Sequence, residues 1–174
     1  MTYQNFEKIK SKKQKYTKQT SRRVEHTDWY QVMVGFTCRH CGAVVSSDLI
    51  LSGVQNRNHC PYCLWSKHVD LYQSGDRLNA CKAVMRPVGL TFKQERNKYG
   101  SGLGELQVIH RCSDCGGFSI NRIAADDDND LLWALYEYSL RGTLPLDGTI
   151  RPARVEDKQL VYRRLFGRDL IPEG

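Results

Sequence analysis

The chain has 174 residues, seven of them cysteine, and a formal net charge of +7 from 26 basic and 19 acidic side chains. That length fits one domain with short appendages, and the odd cysteine count argues against a closed disulfide framework. No apolar run approaches the roughly 20 residues of a membrane-spanning helix and no apolar leader follows Met1, so no membrane partner is expected.

The charge is concentrated at one end. Residues 1–23 carry Lys8, Lys10, Lys12, Lys13, Lys15, Lys18, Arg22 and Arg23 against the single acid Glu7, a net +7, so the remaining 151 residues balance. Lys, Gln, Thr and Ser dominate this stretch without helical or strand periodicity. Such a segment buries too little apolar surface to offset its ordering entropy. Residues 1–23 are therefore expected to form a disordered basic arm, the main part of an N-terminal extension at 1–28. It suits a polyanion, because each phosphate it neutralises releases condensed counterions.

From Glu25 to Phe36 the β-formers Trp29, Tyr30, Val32, Val34 and Phe36 predict a strand. It enters the turn Cys38-Arg39-His40-Cys41-Gly42, and Ala43-Val44-Val45 returns from it. A second turn, Cys60-Pro61-Tyr62-Cys63, follows after eighteen intervening residues. Each Cys-x-x-Cys folds so that both sulfurs face one point, and two such turns complete the four-sulfur tetrahedron preferred by structural zinc. Reduced thiolates of this kind place the chain in the cytoplasm. A structural zinc supplies folding energy on the order of 10–16 kcal/mol, which offsets the thin, loop-rich core that the sequence implies.

Leu64 to Leu71 is expected to be extended, with His68 and Asp70 on one face. Ala83–Met85 and Val88–Phe92 are predicted as two strands separated by Arg86-Pro87, and Asn97–Gly104 as a glycine-rich loop. Glu105–Cys112 is a strand entering a third knuckle, Cys112-Ser113-Asp114-Cys115-Gly116, and Phe118–Ile123 leaves it. Strand, Cys-x-x-Cys-Gly, strand thus occurs twice, at 32–45 and 106–120, predicting two zinc half-sites of similar build. Cys81, Cys112 and Cys115 are the ligands left for a second site, with either His68 or His110 as the fourth. His110 lies two before Cys112 on the same strand face, whereas His68 comes from a distant segment.

The run Asp126-Asp127-Asp128-Asn129-Asp130 precedes an apolar helical face of Leu131, Leu132, Leu135 and Tyr138, and its simplest role is to cap that helix. Thr143–Pro152 is a turn-rich linker, and Val155–Phe166 a second helix ended by Gly167. The fold class expected is a small β-rich zinc-ribbon module at 29–128 holding two zinc half-sites. A helical C-terminal extension follows at 129–174.

Arg57-Asn58-His59-Cys60-Pro61 resembles the signature of the RNHCP-domain family of bacterial proteins. The likeness extends through His68-Val69-Asp70, Gly75-Asp76-Arg77, Cys81, Met85-Arg86-Pro87-Val88, His110-Arg111-Cys112, Cys115-Gly116, Asn121-Arg122 and Asp127-Asp128-Asn129, roughly 36 to 130. Gln73-Ser74 departs from the proline expected before Gly75. The resemblance implies a cysteine-rich metal-binding module more firmly than any activity. Within the signature, His59 is expected to donate a hydrogen bond that orients a ligand or Asp70. Arg57, with Arg39, His40 and Arg111 beside the knuckles, is a candidate phosphate contact.

The function these features favour is a zinc-binding, non-catalytic RNA-binding protein that is ribosome-associated or a ribosomal component. Its basic arm would contact ribosomal RNA phosphates, with ribosomal proteins as further partners and no small-molecule substrate. A zinc-ribbon adaptor in a transcription or other protein complex is the alternative. A zinc hydrolase is disfavoured, because four cysteines close a site that catalysis needs open. Only a three-ligand second site flanked by Asp70 and Asp76 would revive that reading.

Overall fold

The computed structural model describes residues 35–93, 104–142, 148 and 150–171. The basic arm, most of the strand expected over 25–36, most of the glycine-rich loop at 97–104 and residues 143–147 of the linker lie outside the described residues. The described chain is β-rich, with two antiparallel sheets and helices toward the C-terminus. Strands β1 (Gly35–Thr37) and β2 (Val44–Ser46) form a two-stranded sheet around the first knuckle. Strands β3 (Ser66–Lys67), β4 (Val84–Lys93), β5 (Glu105–Cys112) and β6 (Phe118–Arg122) form a four-stranded sheet in that order.

The expected repeat is present in the backbone. Cys38 N donates to Ala43 O at 2.8 Å and Cys112 N to Gly117 O at 2.8 Å, so the same loop closes both hairpins. Gly42 and Gly116 follow their knuckles at φ 75° and 72°, where a side chain is strained. One strand replaces the two expected around Arg86-Pro87. β4 runs through with its register against β5 shifted between Pro87 and Gly89, a bulge that absorbs the missing proline N–H without ending the ladder.

Two helices cover one side of the larger sheet. Helix α2 (Asn129–Ser139) buries Leu131, Leu132, Leu135 and Tyr136 against Leu90, Leu106 and Val108. Helix α3 (Lys158–Phe166) follows a 3-10 turn at Val155–Asp157, adds Val161 and Leu165 to the same core, and ends at Gly167 with φ 68°. Trp133 of α2 meets Tyr162 of α3 edge-on at 5.1 Å. The edge of β4 beyond short β3 is covered by residues 151–153: Ala153 N donates to Leu90 O at 2.7 Å and Thr91 Oγ1 to Arg151 O at 2.7 Å. The helices are thus continuous with the sheet's main core, while the first knuckle pair has a small core of its own around Val45. A four-residue helix, α1 (Leu49–Ser52), capped by Asp48 and ended by left-handed Gly53, lies where the sequence indicated no element.

Candidate metal centres

Four sulfurs converge at the first site. Cys38 and Cys41 come from the β1–β2 turn, Cys60 and Cys63 from the turn before β3, and all four Sγ lie within 4.8 Å of one another. Cys38 Sγ is 3.6 Å from Cys63 Sγ, and Cys41 Sγ 3.6 Å from Cys60 Sγ. A tetrahedron of ~2.3 Å zinc–sulfur bonds has edges of about 3.8 Å, so this donor set fits zinc with little adjustment. The second turn copies the first: Leu64 N donates to Cys60 O at 2.7 Å, as Gly42 N does to Cys38 O at 2.9 Å. Leu64 therefore takes the glycine's left-handed place at φ 61°. Complete burial in the main core holds it there.

Packed this closely, the four thiols act on one another's ionisation. The thiols of Cys41, Cys60 and Cys63 donate toward Cys38 and hold its pKa far below the ordinary range. Cys38 pushes Cys41 up, but Cys60 and Cys63 outweigh it and leave Cys41 at about 7. Cys60 and Cys63 are pushed up, chiefly by Cys38 and Cys41. Four close-packed thiolates, three of them buried, repel one another, and a divalent ion at their centre reverses that logic.

The second site gathers His68, Cys81, Cys112 and Cys115, again within 4.8 Å. Cys81 Sγ lies 3.6 Å from Cys112 Sγ, and Cys115 Sγ 3.4 Å from His68 Nδ1. These spacings fit tetrahedral zinc with one nitrogen ligand. The segments carrying His68 and Cys81 are laced together by His68 N to Ala83 O at 2.8 Å and Lys82 N to His68 O at 3.1 Å. Asn79 touches both ligands: its Oδ1 accepts from Cys81 N at 2.9 Å, and its amide nitrogen lies 2.8 Å from His68 Nε2. The same amide nitrogen also donates to Asp70 O at 3.3 Å, so Asn79 ties the His68 segment to the Cys81 segment.

His110, the other candidate ligand, is not at this site. Two residues along a strand carry it about 6.8 Å from Cys112. There its Nε2 donates to Leu64 O at 2.6 Å and its Nδ1 accepts from Asn121 at 2.9 Å. Burial, then the nearby His59, pushes the His110 pKa down to about 3, so it is a neutral strut beneath the second knuckle.

The residues preceding Cys60 form a buried clamp. Arg57 donates to Asp126 Oδ2 at 2.8 Å and Asp127 Oδ1 at 3.4 Å, and also to Ser46 O and His59 O. Its side chain has no exposed surface, which removes it from the candidate phosphate contacts. His59 Nε2 meets Asp127 Oδ2 at 2.8 Å, so its carboxylate partner is Asp127 rather than Asp70. Asp70 accepts instead from Arg77 N at 3.1 Å. Asp127 also accepts from Ala124 N at 2.8 Å, while Asp128 alone of the run caps α2, accepting from Leu131 N at 3.1 Å. In Gly75-Asp76-Arg77, Asp76 ties the loop by accepting from the amides of Leu71, Tyr72, Gln73 and Leu78. Those amides hold its carboxyl well below the usual range. Asn79, Asp127 and Leu64 escaped the sequence reading as members of the sites. Only the acidic run gave a signal, and it pointed to capping.

No described helix is long and apolar enough to cross a membrane. The RNHCP domain model matches residues 33–133, a span that contains every ligand of both sites. No curated protein and no solved structure matches the chain.

Proposed function

This chain belongs to the RNHCP domain family, and from that premise we propose that it is a zinc-stapled, non-catalytic RNA-binding protein associated with the ribosome. Zinc is the ion favoured by four soft thiolates at one site and three thiolates with an imidazole at the other. Bound there, it supplies folding energy to a body whose first knuckle pair has only a small apolar core. Four protein donors at each site leave no position for a reacting water, which supports a structural rather than a hydrolytic role. The observation that carries the RNA reading is the charge map. The whole net charge of +7 sits in residues 1–23, ahead of a balanced body. That division suits a rigid module tethered to a polyanion by a cationic arm.

Sedimentation of a lysate through sucrose tests it: co-migration with ribosomal particles that is lost in high salt is expected. Removing residues 1–23 should flatten the salt dependence of RNA binding by about 0.7 in slope for every single-strand phosphate that the arm neutralises. An unchanged slope refutes the arm's role. One feature favours the adaptor reading. β2 exposes Val44, α1 exposes Leu49, Ile50 and Leu51, and the two-stranded sheet offers free edges among the described residues. A partner strand could add there, and such binding would be insensitive to salt.

A further inference from the structure

One row of side chains crosses the four-stranded sheet. Arg86 stands directly opposite Arg111, and Arg111 directly opposite Phe118. Trp65 immediately precedes Ser66, which pairs with Met85, and shares a pocket with Arg86. Directly opposed residues project from the same face of a sheet, so Arg86, Arg111 and Phe118 form one row, and the shared pocket puts Trp65 at its end. Like charges facing each other across a ladder are destabilising. Among the described residues no carboxylate lies within ion-pair distance of either arginine, although Arg57, Arg77, Arg122 and Arg163 all have one. Trp65, Arg86 and Arg111 line a pocket of about 470 Å³ with Ser113 and one acid, Asp114. The Arg111 guanidinium is held 5.8 Å from the Phe118 ring centre, and Trp65 Nε1 is buried without a hydrogen-bond partner.

We propose that this aromatic–cation–cation–aromatic row is the body's own seat for unpaired RNA, the two arginines gripping a phosphate while flanking bases stack on Phe118 and Trp65. The proposal rests on the RNA-binding reading above and adds a second contact surface to the arm. Paired cations beyond ion-pair distance of any described carboxylate match a phosphodiester, and planar rings beside them, Trp65 by the face that His40 does not cover, accept any base. Unpaired RNA fits better than duplex, whose bases are already stacked.

The test uses the zinc-loaded full chain and a fluorescein-labelled single-stranded oligouridine of about twelve nucleotides. Anisotropy is followed from about 50 to 200 mM salt. R86Q/R111Q should lower the salt slope by about 0.7 if the arginines share one phosphate and about 1.4 if they hold two. The charge-matched double variant R141Q/R168Q, at exposed positions elsewhere, should leave the slope unchanged. Phe118→Leu should weaken binding roughly 5- to 150-fold. Arg111 is exposed, so R111Q alone gives a readout with little risk to folding. Wild-type binding with equal losses in both double variants overturns the seat and leaves the RNA reading standing. Absence of wild-type binding at low salt overturns both. Loss of metal from the second site in R86Q/R111Q shows that the arginines serve the neighbouring thiolates, and it also overturns the seat.

Discussion

Replacing Asp127 with alanine removes the centre of the clamp between the second knuckle and the loop before α2. Asp127 accepts from His59 Nε2 at 2.8 Å, Ala124 N at 2.8 Å and Arg57 at 3.4 Å, with no side-chain surface in contact with water. Arg57 keeps Asp126, Ser46 O and His59 O, so it is not stranded. His59 Nε2 and the Ala124 amide are stranded, at about 1–3 kcal/mol each for a buried donor left unpaired. Together they cost about 2–6 kcal/mol, and the range for breaking a buried ion pair narrows the expected cost to about 3–5 kcal/mol. Asp126 is 39% exposed, and Asp126→Ala should cost about 1 kcal/mol or less. At this chain length that contrast appears as a fall of roughly 6–20 °C in Tm for D127A, against a few degrees for D126A. Thermal unfolding by circular dichroism in excess zinc, with metal content checked before heating, measures both. If D127A falls within about 1 kcal/mol of D126A, the clamp is not what holds the knuckle to α2.

At Leu64, truncation to alanine should cost about 2–5 kcal/mol. L64G should be no worse than L64A in denaturant midpoint, because glycine relieves the left-handed backbone by about 1–2 kcal/mol. Asn79→Ala should weaken the second metal about 10- to 100-fold and the first by less. Competition with a chromophoric chelator reads that split. Asp76 has a depressed pKa when folded, so its stabilisation is present above the ordinary carboxylate value and is lost as pH falls toward the folded one. The Tm gap between wild type and D76N should therefore be full near pH 6 and narrow below about pH 4. A gap that widens in acid contradicts the assignment.

Much of the first site was legible, because metal-ligand spacing is local and repeats: Cys38, Cys41, Cys60 and Cys63 converge as their turns require. The hairpin echo was legible for the same reason. The fourth ligand of the second site was not, since His68 and His110 differ only in where the chain goes between them. The short helix α1 carried its cap Asp48 and stop Gly53 in the sequence, but four residues show no periodicity to notice. Leu64 has no signature of its left-handed backbone, which tertiary burial imposes. Arg57 looked like a surface cation because its partners stand 69 and 70 residues away. The Trp65–Phe118 row needs the strand register, which alternation alone does not fix.

The strip from Cys60 to His68 serves both clusters, since Cys63 closes the first and His68, five residues on, belongs to the second. Between them Leu64 is locked to His110, and β3 is paired to β4. Filling either cage therefore fixes one end of a crossbeam that the other cage needs. Loading should be cooperative: the half-filled species stays scarce, and stripping one ion loosens the grip on its neighbour.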